Sequence, residues 1–301
     1  MHPLEATTTF AARYEAYRRR ADAALEQWLP PASAWPVRIH EAVRYAVFPG
    51  GKRLRPVLVL AACELVGGSL EAALPAACAV ELVHAYSLVH DDLPAMDDDD
   101  WRRGRPTVHV AYDEATAILA GDALLTLAFA VLSDPAWPVP AETVRSVIHE
   151  LSTAAGTAGL IGGQVADLAA ERADVDRGAL ERIHRHKTGA LFRACTRIGA
   201  LIGGAGEAEL ERLSRFADEF GLAFQITDDV LDVIGDAEMT GRPAGSDERH
   251  GKRTFVSLYG VDEARRLARE AAARAAAELA AFGPRGAFFS ELAAFAVRRS
   301  G

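Results

Sequence analysis

Cysteine is scarce in this sequence. Cys63, Cys78 and Cys195 lie far apart, and none belongs to a CxxC pair. Because all three fall within apolar, helix-like stretches, we expect buried, reduced thiols rather than a disulfide framework or a metal site. Reduced thiols are typical of a cytoplasmic protein, and we predict that location.

Long apolar segments are also lacking. The N-terminal sequence MHPLEATTTFAARYEAYRRR has no apolar signal core, and no apolar run reaches the length needed to cross a bilayer. We therefore predict no membrane span. The net charge of −9 argues against a nucleic-acid partner, although net charge says little about any local site.

The alternation of apolar and polar residues that marks strands is missing as well. Half of the 301 residues are apolar, and Ala, Leu, Glu and Arg dominate long stretches, which favours helices. No low-complexity linker divides the chain, so we predict a single all-α domain over residues 1–301. Helices are predicted near 10–28, 54–67, 71–93, 107–131, 141–160, 162–170, 177–202, 207–221, 221–235, 255–282 and 288–299, with one more before the stop at Pro49-Gly50-Gly51.

Two acidic motifs stand out from the helical pattern. The first, DDLPAMDDDD, runs from Asp91 to Asp100 at the end of an apolar helix. Pro94 interrupts that helix, and we expect the chain to loop so that Asp97 returns toward Asp91. Asp98–Asp100 fit a solvated charge run as well as they fit a binding site.

The second acidic motif, DDVLD, places Asp228 and Asp232 one helical turn apart, where both carboxylates can reach one ion. The adjacent carboxylates of Asp228 and Asp229 repel each other at the end of an apolar helix unless a cation is present. Carboxylates without His or Cys suit magnesium rather than zinc. Calcium stays open as an alternative, although neither motif has the loop pattern of an EF-hand.

Four basic motifs accompany the acidic ones: GGKRLRP at 50–56, RRGR at 102–105, HKTG at 186–189 and GKRT at 251–254. Cations beside a glycine turn or a helix start can hold a diphosphate. The alternative for RRGR is neutralisation of the neighbouring aspartates, and for HKTG an ordinary exposed lysine. The set suits two diphosphate substrates, one bound through metal and the other directly by Lys and Arg.

Six motifs in this order resemble the trans-isoprenyl diphosphate synthases, and within them the bacterial farnesyl diphosphate synthases. The matching segments are GGKRLRP at 50–56, HAYSLVHDDLPAMDDDDWRRGRPT at 84–107, GGQVADL at 162–168, HKTGALF at 186–192, FQITDDVLD at 224–232 and GKRT at 251–254. The resemblance implies a bundle of ten or more helices around a deep central cavity. It also implies that the acidic motifs face each other across the cavity mouth and that the protein is a homodimer.

The resemblance assigns the metal-binding side chains. Magnesium is implied as the cofactor, with three ions per active site and manganese as a possible substitute. Asp91 and Asp97 would ligate two ions and Asp228 the third, with Asp92, Asp229 and Asp232 in support. The catalytic group would comprise Asp91, Asp92, Asp97, Asp228 and Asp229 together with Lys187 and Arg102.

The other polar residues of the motifs are implied to bind two substrates. Isopentenyl diphosphate would be held without metal by Lys52, Arg55, His84 and Arg103. The allylic diphosphate would be held by Arg102, Lys187 and Lys252. Oxygens would be presented to the developing carbocation by Thr188 and Gln225. The same cavity would be lined by Gln164 and Asp167.

Two positions depart from the family pattern. Arg242, also a substrate-binding candidate, stands where the family often has Lys after a Gly beyond the second acidic motif, which keeps a cation but changes its geometry. Phe295 stands where the family often has Tyr. That change removes a hydroxyl and puts in doubt any contribution of the C-terminal tail to closing the site.

The expected reaction joins isopentenyl diphosphate to dimethylallyl and geranyl diphosphates, giving farnesyl diphosphate and releasing diphosphate. Tyr86 lies about 7.5 Å before Asp91 along one helix, and in bacterial relatives an aromatic residue with this spacing looks like the pocket floor. Ser87 is small and should not close the pocket alone. Ordinary core packing of Tyr86, and a geranyl or geranylgeranyl product, remain alternatives.

Three other functions are alternatives to this one. A class I terpene cyclase needs one diphosphate site, whereas the separate basic motifs argue for two. A head-to-head synthase such as a squalene synthase fits the motifs less well for the same reason. A non-catalytic regulatory subunit would be expected to have lost some of the aspartates.

Overall fold

The computed structural model of the chain describes residues 9–48, 51–170, 175–235 and 252–298. The first half contains α1 (Phe10–Trp28), α2 (Val37–Val47), α3 (Leu54–Leu65), α4 (Leu70–Asp91), α5 (Val108–Ala111), α6 (Glu114–Leu132) and α7 (Ala141–Ala155). The second contains α8 (Leu160–Ala170), α9 (Arg177–His184), a π-helical segment (Arg185–Gly189), α10 (Ala190–Gly203), α11 (Glu207–Ile234), α12 (Phe255–Tyr259), α13 (Val261–Glu278), a 3₁₀ segment (Leu279–Gly286) and α14 (Ala287–Arg298). An antiparallel hairpin pairs β1 (Trp101–Arg102) with β2 (Arg105–Pro106).

The core of the bundle lies along α3, α4 and α10, which pack against one another. Residues 56–63 of α3 and 76–83 of α4 are buried without interruption. The alanines among them let neighbouring helices approach closely. Larger rings fill the space beside α11, where Phe192 meets Phe220 edge to face at 5.4 Å between ring centroids. Of these core helices, α3 begins within the GGKRLRP segment and α4 ends at the first acidic motif.

The all-α prediction is confirmed, but several helices break where the sequence pattern showed none. The predicted helix 107–131 is two helices, because the Asp113 carboxylate accepts the backbone N–H of Thr116 at 2.7 Å and caps α6. The predicted helix 177–202 is interrupted by the π-helical segment. The predicted helix 255–282 breaks at Gly260, whose φ is 80°. The short β1–β2 hairpin was not predicted.

The predicted break at residue 221 is wrong. Helix α11 continues without interruption through Gly221. A Cβ at Gly221 would lie 3.1 Å from the Cα of Gly189, in the π-helical segment. Glycine therefore serves close packing between α11 and that segment rather than helix termination.

Two helices, α4 and α6, are long and apolar enough to cross a membrane by length and composition. The expectation that no run reaches that length was wrong in this respect. In α4, 72% of the most apolar 18-residue stretch is buried inside the bundle, as expected for a core helix. In α6, which has the higher hydropathy of 2.0, only 44% is buried. The described residues therefore leave an apolar face of α6 uncovered.

The three cysteines are buried and unpaired, as predicted. Burial raises the pKa of each thiol, Cys63, Cys78 and Cys195, to about 12. Thiols in this state act as small apolar side chains, and they take no part in the site described next.

Candidate active site

The acidic loop after α4 folds back on itself. The backbone N–H of Asp97 donates to the carbonyl of Asp91 at 2.8 Å, and the N–H of Asp98 donates to the carbonyl of Leu93 at 3.1 Å. Asp98 reaches this bond with a left-handed φ of 50°. The predicted return of Asp97 toward Asp91 is confirmed, so the ends of the DDLPAMD segment lie side by side.

The carboxylates of this loop differ in their ease of ionisation. Burial raises the pKa of Asp91 to about 6, and the nearby Asp97 and Asp92 add to the effect. Burial likewise raises the pKa of Asp92 to about 6, against the pull of Arg102. Burial also acts on Asp97, but Lys252 and Lys187 outweigh it and the pKa of Asp97 is lowered. Negative charge at the end of α4 is therefore costly without added positive charge.

Cations from distant segments supply part of that charge. The Arg102 Nε donates to Asp92 at 2.6 Å, and the Lys252 Nζ donates to Asp97 at 2.9 Å. The Lys187 Nζ donates to Asp167 at 2.6 Å. Burial works to lower the pKa of Lys187, but Asp167, Asp91 and Asp97 together raise it, so its ammonium stays charged. Three of the predicted allylic-site cations thus converge on the acidic loop.

The second acidic motif places neighbouring aspartates in different roles. Asp229 is 2% exposed, and its two oxygens accept the backbone N–H of Phe255 at 2.9 Å and the side-chain amide of Gln225 at 3.1 Å. Asp228 is half-buried, and Asp232 is buried one turn further along α11. The Phe255 bond fixes the start of α12, which directly follows the segment that carries Lys252.

No group of three His, Cys, Asp or Glu side chains within the described ranges is close enough to hold a metal ion. Asp91 and Asp97 are adjacent through their backbones, and Asp97 faces lysine rather than a third carboxylate. Carboxylate oxygens are nevertheless the donors that hard divalent cations prefer. A bound cation at the end of α4 would relieve the same repulsion that the lysines relieve now.

The π-helical segment links α8 to α11 through the site. A Cβ at Gly163 of α8 would lie 2.2 Å from the backbone nitrogen of Lys187, so only glycine permits this approach. The next residue, Thr188, donates its hydroxyl to the Gln225 side-chain carbonyl at 2.8 Å. The extra residue of a π-turn changes which way side chains point, a common feature of functional sites. Lys187 and Thr188 are therefore presented together.

Three of the predicted isopentenyl-site residues, Arg55, His84 and Arg103, also lie close together, with His84 two turns before Asp91 on α4. A Cβ at Gly51 would lie 2.7 Å from the guanidinium carbon of Arg103, so that group lies against the GGKRLRP backbone. Arg55 lies over the ring of Phe192, 4.8 Å from its centroid. Burial, and then the charges of Arg55 and Arg103, hold the pKa of His84 well below its usual value, so His84 is neutral at pH 7.

Arg53 is a site residue that the sequence analysis missed. It is 2% exposed, and its guanidinium donates to Asp22 at 2.8 Å, to Glu81 at 2.7 Å and to the Val47 carbonyl at 2.8 Å. Its φ of 49° is left-handed, at the residue that precedes α3. A detectable signal was Glu81, an acid three residues before His84 in an otherwise apolar run. Through these contacts Arg53 holds the GGKRLRP segment against α1, α2 and α4.

The remaining candidates take the following places. Tyr86 and Ser87 are buried on α4, and the Ser87 hydroxyl donates to the carbonyl of His84 at 2.9 Å. Gln164 is 7% exposed, and its amide has no hydrogen-bond partner within the described ranges. Phe295 packs in α14 against an aromatic cluster. Arg242 lies outside the described residues.

Comparison with known proteins adds independent information. The Polyprenyl synthetase family matches residues 36–281. A farnesyl diphosphate synthase of Escherichia coli is 50% identical over 263 residues, covering 87% of this chain and 88% of that protein. A geranylgeranyl diphosphate synthase of Cyanophora paradoxa is 49% identical over 229 residues, covering 76% of each. The crystal structure of a geranyltransferase from Helicobacter pylori, complexed with magnesium and isoprenyl diphosphate, has a TM-score of 0.86 at 31% identity and covers 99% of both chains.

The different settings of the two adjacent aspartates give a test without substrate or metal. Asp229→Asn should lower Tm in chelator-containing buffer at pH 7, because Asn offers one side-chain acceptor where Asp229 satisfies two donors. The expected cost is about 1–3 kcal/mol. Asp228→Asn removes an equal charge from a half-buried position and should leave Tm unchanged or raised. Thermal unfolding measures both, and an equal loss in the two variants would contradict the anchoring role of Asp229.

Proposed function

The chain belongs to the polyprenyl synthetase family, and we propose that it condenses isopentenyl diphosphate with allylic diphosphates to make farnesyl diphosphate. One observation supports the proposal: helix α4 carries a polar residue surrounded by arginines and, two turns later, an acidic cluster. His84 lies among arginines that include Arg55 and Arg103. Asp91, two turns later, lies among other carboxylates and the cations Lys187 and Arg102. Two diphosphates can therefore bind at once, with their reacting ends between the two groups.

Magnesium fits the acidic group by its chemistry. The donors are carboxylates alone, and burial together with the nearby Asp97 and Asp92 raises the pKa of Asp91, so a bound cation would favour its ionised form. We assign Asp91, Asp97 and Asp228 as ligands, with three ions per site and manganese as a substitute. When bound, magnesium supplies positive charge that neutralises the leaving diphosphate. The magnesium complex of the Helicobacter pylori geranyltransferase supports this assignment by analogy.

The chain's own residues hold and orient the reactants. Lys187, Lys252 and Arg102 would bind the allylic diphosphate and favour its departure by charge. Lys52, Arg55 and Arg103, with neutral His84 as a hydrogen-bonding group, would bind isopentenyl diphosphate.

Oxygens of Thr188 and Gln225 would face the allylic cation that forms as the C–O bond breaks. The double bond of isopentenyl diphosphate attacks that cation, and the proton then lost would pass to the departing diphosphate. Water must be excluded meanwhile because it would trap the cation. The apolar residues of α3 and α4 that surround these groups serve that need.

A product assay separates this function from its alternatives. Labelled isopentenyl diphosphate incubated with geranyl diphosphate and magnesium should yield labelled farnesol after dephosphorylation. Asp91→Ala should lower kcat by about 100-fold or more, since ionisation of the allylic diphosphate needs the acidic group. Asp100→Ala, an exposed acid in the same run, is the matched control and should retain activity. Allylic turnover without incorporated label would indicate a terpene cyclase, and no turnover a regulatory subunit.

Tyr86 is our candidate for the floor of the product pocket. Its ring is 5% exposed and meets His90 edge to face at 5.8 Å, and its buried hydroxyl has no hydrogen-bond partner within the described ranges. A buried hydroxyl without a partner is unusual for ordinary core packing and suits a position beside a cavity. Tyr86 lies five residues before Asp91 on α4, about 7.5 Å deeper along the helix, where a chain longer than fifteen carbons would need room.

Product length tests the floor directly. Tyr86→Ala should shift the main product from fifteen carbons to twenty or more, because removal of the ring deepens the pocket. Ser87→Ala, the neighbouring small residue, should leave the product spectrum unchanged. Chromatography of dephosphorylated products measures both. An unchanged spectrum in Tyr86→Ala would place the floor elsewhere.

We also propose that the protein is a cytoplasmic homodimer that associates through α6. Ile118 and Leu119 are 45% and 58% exposed, and Leu125 and Phe129 extend the face of Ile118 along the helix. An apolar helix face of this kind is expected to be covered in the working protein. A second copy meets the requirement with a self-complementary contact, the commonest arrangement among soluble oligomers.

The mass of the particle in solution tests this surface. The wild type should elute as a dimer in size-exclusion chromatography with light scattering. Leu119→Asp should dissociate it, because a charge in the contact loses its hydration. Val165→Asp places the same charge at a more exposed apolar position of α8, 64% exposed, and should leave the dimer intact. A monomeric wild type would refute the proposal, and so would a dimer that survives Leu119→Asp.

A further inference from the structure

A tyrosine from the N-terminal helix touches the diphosphate-binding segment. The Tyr14 hydroxyl donates to the backbone carbonyl of Lys52 at 2.6 Å, across 38 residues of sequence. Tyr14 belongs to α1, which precedes the part of the chain matched by the family, residues 36–281. Nothing in the motifs points to this contact.

The position of the Tyr14 ring is set by both ends of the described chain. The ring lies 5.9 Å from Phe10 in α1 and 6.0 Å from Phe295 in α14, between centroids. Phe10 in turn lies 5.2 Å from Phe288. Because rings from α1 and α14 surround it, the hydroxyl is presented in a fixed direction.

Helix α1 also contacts α3, the helix whose first residues belong to the basic segment. The Tyr17 hydroxyl donates to the Glu64 carboxylate, and the Arg13 guanidinium also donates to Glu64, at 2.6 Å. Tyr17 is fully buried. Residues that flank Tyr14 in α1 therefore bind the C-terminal end of α3, while Tyr14 itself contacts the segment at the start of α3.

The Lys52 carbonyl is a sensitive point in the segment. It belongs to the peptide group between Lys52 and Arg53, and Arg53 has a left-handed φ of 49°. The Arg53 side chain holds this turn from inside through Asp22 and Glu81, and Tyr14 holds the peptide from outside. The ψ torsion of Lys52 relates the direction of this carbonyl to that of the Lys52 Cα–Cβ bond, so the Tyr14 contact restrains the base of the Lys52 side chain.

We infer that Tyr14 is a positioning residue for Lys52, and through it for the diphosphate that Lys52, Arg55 and Arg103 bind. The inference rests on the proposed function for the identity of that ligand, isopentenyl diphosphate. It also gives Phe295 a role. Phe295 has no hydroxyl of its own, and its ring packs against the ring of Tyr14, which has one. The hydroxyl that contacts the basic segment comes from α1 at the N-terminal end.

Tyr14→Phe tests the inference because it removes the hydroxyl and keeps the ring. KM for isopentenyl diphosphate should rise about 5-fold, as expected for one lost hydrogen bond. KM for geranyl diphosphate should stay unchanged, since its site lies around Asp91 and Lys187. A general loss of structure would move both constants, so the split between them identifies positioning.

Tyr17→Phe is the matched control. It removes a hydroxyl from the same helix one turn away, where the partner is Glu64 rather than Lys52. We expect a lower Tm but an unchanged KM for isopentenyl diphosphate. If Tyr17→Phe raises that KM as much as Tyr14→Phe does, the effect belongs to α1 docking and the inference fails.

Equilibrium binding separates failure of this inference from failure of the proposed function. Calorimetry without metal should show isopentenyl diphosphate binding to the wild type, and about 5-fold weaker binding to Tyr14→Phe. Equal affinities would overturn the role of Tyr14 and leave the proposed function standing. No binding to the wild type would overturn the metal-free diphosphate site itself, and the inference with it.

Discussion

Crowding of negative charge at the end of α4 is the constraint on which the site depends. Asp91 and Asp92 are placed by a core helix, and burial raises the pKa of each. Cations reach this acidic loop from two sides of it in the sequence: Arg102, just after the loop, donates to Asp92, and Lys252, before α12, donates to Asp97. The bundle therefore concentrates negative charge that the neighbouring cationic side chains neutralise only in part. A diphosphate bound with its counter-ions, as proposed for this site, would complete the balance and couple substrate binding to the arrangement of these segments.

The basic side of the site is held in place by a buried ion pair. Arg53 and Glu81 form a buried ion pair, 2.7 Å apart, and both are 2% exposed. Such a pair adds little net stability compared with apolar packing, but removal of one partner leaves a costly buried charge. Its value here is geometric, because it fixes the turn that carries Lys52 and Arg55. Neutral His84 adds a polar group to this arrangement without further repulsion among the arginines.

The sequence predicted the helical class, the two acidic motifs and the return of Asp97 to Asp91, because each depends on local pattern. Contacts between distant segments left no local trace. Gly221 suggested a helix end, yet it serves close packing against Gly189. The π-helical segment has no signature in apolar periodicity, since the pattern on either side continues. Tyr14 lies outside every motif, and its contact with Lys52 exists only because α1 docks on α3.

Helix α4 connects the site to the surface proposed for dimer formation. The His90 ring, next to Asp91 and beneath Tyr86, donates from Nε2 to the carbonyl of Ile118 at 3.0 Å. The ring fits because residue 121 of α6 is glycine, where a Cβ would lie 2.1 Å from Nε2. Ile118 thus contacts His90 through its carbonyl and belongs by its side chain to the exposed apolar face. A partner subunit that fixes α6 would therefore also fix His90, and with it the Tyr86 ring that His90 contacts and that we propose as the pocket floor.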